Sequence, residues 1–104
     1  MAFLLVLDGP ARGQTFDLSR GVVMIGRDSS CTIPIADERI SRRHLQITHD
    51  EHRGCHTALD VGSANGVLIR GNRLVRGVEH SLENGDEIMI GGTRLRFWSQ
   101  ADTP

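Results

Sequence analysis

Short apolar runs separated by glycine-containing turns make up most of the chain. Residues 14–18 alternate between polar and apolar side chains, as in a strand with one buried face, whereas residues 22–25 are compact and β-branched. Read in this way along its length, the chain has ten candidate strands. They are 3–7, 14–18, 22–25, 32–35, 44–48, 57–61, 67–69, 74–75, 87–90 and 93–98.

No window of about a dozen residues shows the apolar stripe of an amphipathic helix. The 12 glycines punctuate the runs at intervals of roughly 8–12 residues, which is typical of an all-β sandwich or barrel. We therefore predict about ten short strands in two packed antiparallel sheets. Segments 3–7 with 14–18, and 87–90 with 93–98, should form hairpins, and Pro34 should lie on an edge strand because it lacks a backbone N–H.

Length and charge narrow the class of protein. A chain of 104 residues with 38% hydrophobic content fits one domain with a real core. The net charge of −1 indicates neither a nucleic-acid-binding nor a membrane-surface protein. No apolar run approaches the ~20 residues that cross a bilayer, and the N-terminus lacks signal-peptide features. With only Cys31 and Cys55, no disulfide framework is expected, so we expect a cytoplasmic, monomeric domain.

Three polar clusters follow or precede apolar runs and should therefore lie on loops. They are Gly26-Arg27, Ser41-Arg42-Arg43-His44 and Ser63-Ala64-Asn65-Gly66. Guanidinium, hydroxyl and amide groups brought together on loops suit a phosphate on an extended peptide.

A fourth cluster holds residue types that bind zinc: His49, His52, Cys55 and His56. It lies between two predicted strands and is interpreted as a polar hairpin loop. Its spacing matches no known closed metal site, so we expect no metal and no other cofactor.

The polar clusters, in this order and spacing, resemble the forkhead-associated (FHA) domain. Segment 60–67 is similar to the loop that precedes a strand in that family, and segment 82–88 is similar to its late L-x-x-G-D-x-I turn. The resemblance extends from about residue 3 to residue 98, so we take residues 1–98 as one domain and 99–104 as a flexible tail. It implies an FHA/SMAD-like antiparallel β-sandwich of eleven short strands, with ligand loops at one end that bind phosphothreonine peptides.

The resemblance also implies roles for individual residues. Arg27, Ser41 and Arg42 would hold the phosphate, and Asn65 would hold the backbone of the peptide. The positions that would shape the loops are Gly26, His44, Ser63 and Gly66. Arg43 is interpreted as solvated, because it would point to the other face of an extended segment.

Two positions leave alternatives open. Arg39 could read an acidic or polar side chain after the phosphothreonine, or it could simply be solvated beside Asp37 and Glu38. Ala64 stands where the family often has Thr, so a hydroxyl near the phosphothreonine is missing. Loss of one neutral hydrogen bond would weaken binding by up to about tenfold without abolishing it.

The resulting prediction is a non-catalytic signalling module that binds partner proteins phosphorylated on threonine by a Ser/Thr kinase. FHA domains are commonly one module of a larger chain. The alternative is a phosphate-independent assembly module with a degenerate site, which Ala64 favours slightly. An enzyme is disfavoured, since no nucleotide loop or metal triad is present and no Gly-x-Ser-x-Gly surrounds Ser41.

Overall fold

Eleven strands build the part of the chain that the computed structural model describes, residues 2–19 and 21–99. In chain order the strands are β1 (Ala2–Val6), β2 (Thr15–Asp17), β3 (Val22–Gly26), β4 (Ile33–Pro34), β5 (Leu45–Asp50), β6 (Cys55–Asp60), β7 (Val67–Ile69), β8 (Asn72–Arg73), β9 (His80–Ser81), β10 (Glu87–Ile90) and β11 (Thr93–Ser99). Within those residues there is no helix that could cross a membrane.

The strands form two sheets, which confirms the predicted all-β sandwich. The six-stranded sheet has the order β2-β1-β11-β10-β7-β8, and the five-stranded sheet has the order β4-β3-β5-β6-β9. One pairing departs from the antiparallel prediction, because β4 runs parallel to β3. The loop after β3 reverses the chain, so that β4 runs alongside the end of β3 in the same direction. Pro34 therefore lies on an edge strand, as predicted, where its missing N–H breaks no ladder.

Alternate residues of each strand fill the space between the sheets. In β1 the buried positions are Ala2, Leu4 and Val6, and in β11 Leu95 and Phe97 are almost fully buried. Burying a side chain of this size contributes roughly 1.5–3 kcal/mol. The alternation in the sequence therefore corresponds to side chains that point alternately into the core and towards solvent. The packed core supports the connecting loops.

The two shortest strands of the second half were not predicted. Leu74 and Val75 were expected to form a strand, but the strand is β8, two residues earlier. The β7–β8 turn places Arg70 (φ 53°) and Gly71 (φ 78°) in the left-handed region, as a two-residue hairpin turn requires. That turn fixes the register, which the apolar pattern alone misses. The two-residue β9 gives no periodic signal.

The histidine-rich segment is a β-hairpin whose loop is shorter than the sequence suggested. His49 belongs to β5, and Cys55 and His56 belong to β6, where His49 and His56 are directly paired. Their rings stack with centroids 4.7 Å apart, and buried His56 is hydrogen-bonded through Nε2 to the Leu18 carbonyl at 2.7 Å. The predicted hairpin loop is thus confined to residues 51–54, which include His52, because the strands extend further than expected. Among residues 2–19 and 21–99 no group of three or more metal-ligating side chains converges.

The predicted tail begins one residue too early. Ser99 is the last residue of β11, where it pairs with Ala2, and its amide donates to Asn84 Oδ1 at 2.8 Å. The remainder of the predicted tail, 100–104, lies outside the described residues.

Candidate functional site

Gly26 lets two loops approach each other closely at one end of the sandwich. A Cβ at this position would overlap the Arg42 carbonyl oxygen. The next two amides continue the contact, since Arg27 N donates to the Ser41 carbonyl at 3.0 Å and Asp28 N donates to the Arg42 carbonyl at 3.2 Å. The loop after β3 and the loop before β5 are therefore joined by backbone hydrogen bonds. Gly26 lies where the two loops meet, at a position that allows this close approach.

The Arg27 side chain is anchored by only one of its nitrogens. Its Nε donates to the Ile40 carbonyl at 3.1 Å, and the residue is exposed. Its two terminal nitrogens have no hydrogen-bond partner among the residues described, and no acidic group among those residues lies within 4.0 Å of the guanidinium. A guanidinium held in this way keeps two parallel donors for an anion. Arg42 and Arg43 lie on the adjoining loop and are also exposed.

Ser41 joins the β4–β5 loop to the β6–β7 loop. Its Oγ accepts a hydrogen bond from the Ala64 amide at 2.9 Å. Because the hydroxyl is the acceptor in this bond, its own hydrogen remains available to a ligand. Ala64 itself is exposed, so any side chain at this position would extend into solvent beside Ser41.

His44 connects the same two loops from below. The ring is fully buried, and its Nδ1 accepts from the Ser41 amide at 3.0 Å. The ring proton therefore sits on Nε2, which donates to the Gly66 carbonyl at 2.8 Å. Both ring nitrogens are engaged and neither reaches the surface, so His44 is placed to hold loops rather than to contact a ligand.

A buried carboxylate organises the β6–β7 loop. Asp60 Oδ1 accepts from the amides of Gly62 (3.0 Å) and Ser63 (2.8 Å), and Oδ2 accepts from Ser63 Oγ at 2.9 Å. Burial alone would raise the pKa of Asp60, but these hydrogen bonds together hold it below its ordinary value. Ser63 Oγ in turn accepts a hydrogen bond from the amide of Gly66. The φ of Gly66 is 85°, in the left-handed region that favours glycine. Ser63 and Gly66 thus form a braced turn.

That turn presents Asn65. Its Nδ2 donates to the Arg39 carbonyl at 2.8 Å, and the residue is exposed. Its Oδ1 accepts no hydrogen bond from any described residue, and one amide hydrogen is also left. Asn65 is therefore fixed in orientation while it keeps a donor and an acceptor for an extended backbone.

Asp37 positions Arg39, a role that the sequence did not reveal. Asp37 is buried and accepts from Arg39 N at 2.9 Å, from Gly92 N at 2.8 Å and from Thr93 Oγ1 at 3.0 Å. The Arg39 side chain is 70% exposed, with Nε 3.6 Å from Asp37 Oδ1. This arrangement fits either earlier interpretation of Arg39, and it ties the loop to the β10–β11 turn.

Two further arginines reach the turn that presents Asn65. Arg76 Nη2 donates to the Ser63 carbonyl at 2.7 Å, and the Arg73 guanidinium lies directly against Gly66. Neither was singled out from the sequence. They come close to this turn because β8 pairs antiparallel with β7, which returns the chain to the start of β7. Asp60 is different, because the pattern Asp60-x-Gly62-Ser63 is a turn signal that could have identified it from the sequence.

Comparison with known proteins agrees with this geometry. The model of the family described as "FHA domain" matches residues 23–91. The oxoglutarate dehydrogenase inhibitor of Corynebacterium diphtheriae is 38% identical over 94 residues, covering 90% of this chain and 62% of that protein. The glycogen accumulation regulator GarA of Mycobacterium tuberculosis is 34% identical over 96 residues, covering 92% of this chain and 56% of GarA.

Solved structures with the same fold include FHA domains. A structure from a study of phosphothreonine-dependent FHA domain interactions superposes with a TM-score of 0.84 at 28% identity, covering 96% of this chain and 97% of that one. Mycobacterium tuberculosis EmbR, in complex with a low-affinity phosphopeptide, superposes with a TM-score of 0.82 at 26% identity, covering 99% of this chain and 25% of EmbR. The chain spans somewhat under two thirds of the length of the inhibitor and of GarA. By fold, loop geometry and family match, this chain belongs to the FHA domain family.

Proposed function

We propose that the domain is a non-catalytic module that binds phosphothreonine in an extended segment of a partner protein. One observation carries the proposal. Arg27, Ser41 and Asn65 are each fixed by a hydrogen bond to a neighbouring loop, and each keeps its outward-facing donors available. Such preorganisation lowers the entropy cost of binding.

The chemistry of the arrangement matches a phosphate. A phosphorylated threonine carries about −1.5 to −2 charges and three acceptor oxygens. In the proposed complex the terminal nitrogens of Arg27 bind two of those oxygens, and the Ser41 hydroxyl donates to the phosphate. Arg42 adds a second positive charge, and Asn65 binds the peptide backbone without reading its sequence. One phosphate anchors a small interface, so the affinity should be about micromolar and should weaken with salt.

Similar proteins support the proposal. The similar structures include one from work on phosphothreonine-dependent interactions and one with a bound phosphopeptide. The curated relatives are a regulator and an inhibitor. We infer that the phosphate is placed by a Ser/Thr kinase and that the domain acts as a monomer in the cytoplasm, as one module of a longer chain.

The proposal is tested with one peptide in three forms. Titration calorimetry compares a peptide that carries phosphothreonine at one position with the same peptide carrying phosphoserine or unphosphorylated threonine at that position. We expect binding to the phosphothreonine form and at least about a hundredfold less binding to the unphosphorylated form. Equal binding of all three forms by the folded domain would contradict the proposal and favour a phosphate-independent assembly module.

Replacing Ala64 with threonine should tighten phosphopeptide binding. The exposed position lies beside the Ser41 hydroxyl, so a new hydroxyl there can add one hydrogen bond worth about 0.5–1.5 kcal/mol, or up to about tenfold in affinity. The matched control is Ala64→Val, which has the same branched shape but no hydroxyl. If both variants change the affinity equally, side-chain shape rather than the hydroxyl is responsible.

A further inference from the structure

Most arginines at the loop end lack an acidic partner, whereas most of those elsewhere have one. Of the five arginines described elsewhere, Arg12 has no acidic partner within 4.0 Å and four have one: Arg53, Arg70, Arg94 and Arg96. At the loop end only Arg39 has one, namely Asp37. Arg27, Arg42, Arg43, Arg73 and Arg76 have no such partner among residues 2–19 and 21–99. One phosphate accounts for Arg27 and Arg42, which leaves three.

Arg73 and Arg76 are further distinguished by what they contact. Both guanidinium groups lie against the turn from Ser63 to Gly66, Arg76 through the Ser63 carbonyl and Arg73 against the Gly66 backbone. They reach this turn from the β8 side, whereas Ser41 reaches it from the loop before β5. Arg43, by contrast, makes no side-chain hydrogen bond to any of the described residues.

The neighbouring carboxylates do not neutralise this pair. Asp60, at the base of the turn, is buried and uses both carboxylate oxygens on Gly62 and Ser63. Asp37 is likewise buried, with its oxygens on Arg39, Gly92 and Thr93. The buried acids therefore shape the loops, and the outward charge beside Asn65 stays positive.

We propose that Arg73 and Arg76 form a second anion-binding subsite, which binds an acidic or phosphorylated side chain of the same peptide that carries the phosphothreonine. This inference rests on the proposed function. A peptide backbone held at Asn65 passes over the turn that both guanidinium groups contact, so a side chain a few residues from the phosphothreonine can reach them. Arginine suits both carboxylate and phosphate, because its planar fork binds either anion with two donors.

The test begins on the peptide side, with the native domain. A phosphothreonine peptide with neutral flanks is compared with versions that carry Glu, or phosphoserine, at each flanking position in turn. We expect at least one position at which the anion tightens binding by about threefold to tenfold. The Glu and phosphoserine series distinguish a carboxylate ligand from a phosphate ligand. If no position tightens binding, the subsite does not exist.

The variants then locate the effect. The quantity measured is the ratio of affinities for the anionic and the neutral-flank peptide, because a general distortion of the turn lowers both affinities and cancels. The double variant Arg73→Gln/Arg76→Gln should bring this ratio to about one. Arg73→Lys/Arg76→Lys should keep only part of it, because lysine retains the charge but not the planar fork of donors. Arg43→Gln, which removes an unpaired charge from the same end, is the matched control and should leave the ratio unchanged.

Failure of this inference is distinguishable from failure of the proposed function. A native domain that binds the neutral-flank phosphothreonine peptide but gains nothing from flanking anions retains the function and lacks the subsite. A ratio that survives in the double Gln variant assigns the effect to other residues and overturns the proposal. If even the neutral-flank peptide shows no phosphate dependence, the proposed function itself is wrong.

Discussion

Replacing Arg27 with alanine should lower phosphothreonine-peptide affinity by about a hundredfold or more. The two terminal nitrogens of Arg27 have no hydrogen-bond partner among residues 2–19 and 21–99, and the residue is exposed. Each can make a charge-assisted hydrogen bond of roughly 1.5–3 kcal/mol to a phosphate oxygen. Calorimetry with the phosphorylated and unphosphorylated forms of one peptide measures the loss. Only the phosphorylated form should be affected, because the backbone contacts through Asn65 remain.

Arg43→Ala is the control for that experiment. It removes the same side-chain atoms and the same charge from the adjoining loop. Arg43 is exposed there and has no ion-pair partner among the residues described. We expect less than about a threefold effect, since an exposed charge at a distance is screened by salt. The Arg27→Ala variant should stay folded, because it loses only one side-chain hydrogen bond, from Nε to Ile40, worth about 1 kcal/mol. Unchanged phosphate-dependent binding by Arg27→Ala would remove Arg27 from the site.

Gly26→Ala should destabilise the fold by about 3 kcal/mol and abolish tight binding. The added Cβ would overlap the Arg42 carbonyl, and the overlap is with backbone, which cannot turn aside as a side chain can. The loops before β5 and after β3 must then separate, which breaks the hydrogen bonds donated by the backbone amides of Arg27 and Asp28. A typical domain has 5–15 kcal/mol of stability, so the variant should remain measurable.

Urea unfolding, followed by the fluorescence of the single tryptophan Trp98, gives the free energy of unfolding. The control is Gly54→Ala in the β5–β6 turn, where φ is 65° and a Cβ meets no atom within 4 Å. That variant should lose about 1–2 kcal/mol through its left-handed backbone and keep native peptide affinity. A Gly26→Ala domain that is as stable as the native one would show that the loops tolerate a wider separation.

The longer strands and the positions of the loops could be read from the sequence. Alternation in the longer strands reports which face is buried, and glycine marks turns, because both signals act over a few residues. The same signals are weak where a strand has only two residues, so β8 was misplaced and β9 was missed. The loop of the histidine-rich segment is shorter than predicted, because β5 and β6 continue through positions that show no alternation of polar and apolar side chains.

The site was only partly determined in this way. The residues expected to bind phosphate and peptide lie together at one end, but no feature of the sequence explains why they do. The bonds that hold them link residues far apart in the chain: His44 with Gly66, Asn65 with Arg39, and Thr93 with Asp37. No local pattern encodes such pairs, since each depends on how loops from both sheets meet.

By itself, then, the sequence determined the all-β class, the order of most strands and the polar clusters that become the site. Those properties follow from side-chain periodicity and from glycine and proline geometry, which are local. The tertiary structure decided the parallel β4, the buried roles of Asp37 and Asp60, and the approach of Arg73 and Arg76 to the Asn65 turn. These depend on backbone hydrogen bonding and close packing between segments distant in sequence, which only the folded chain brings into contact.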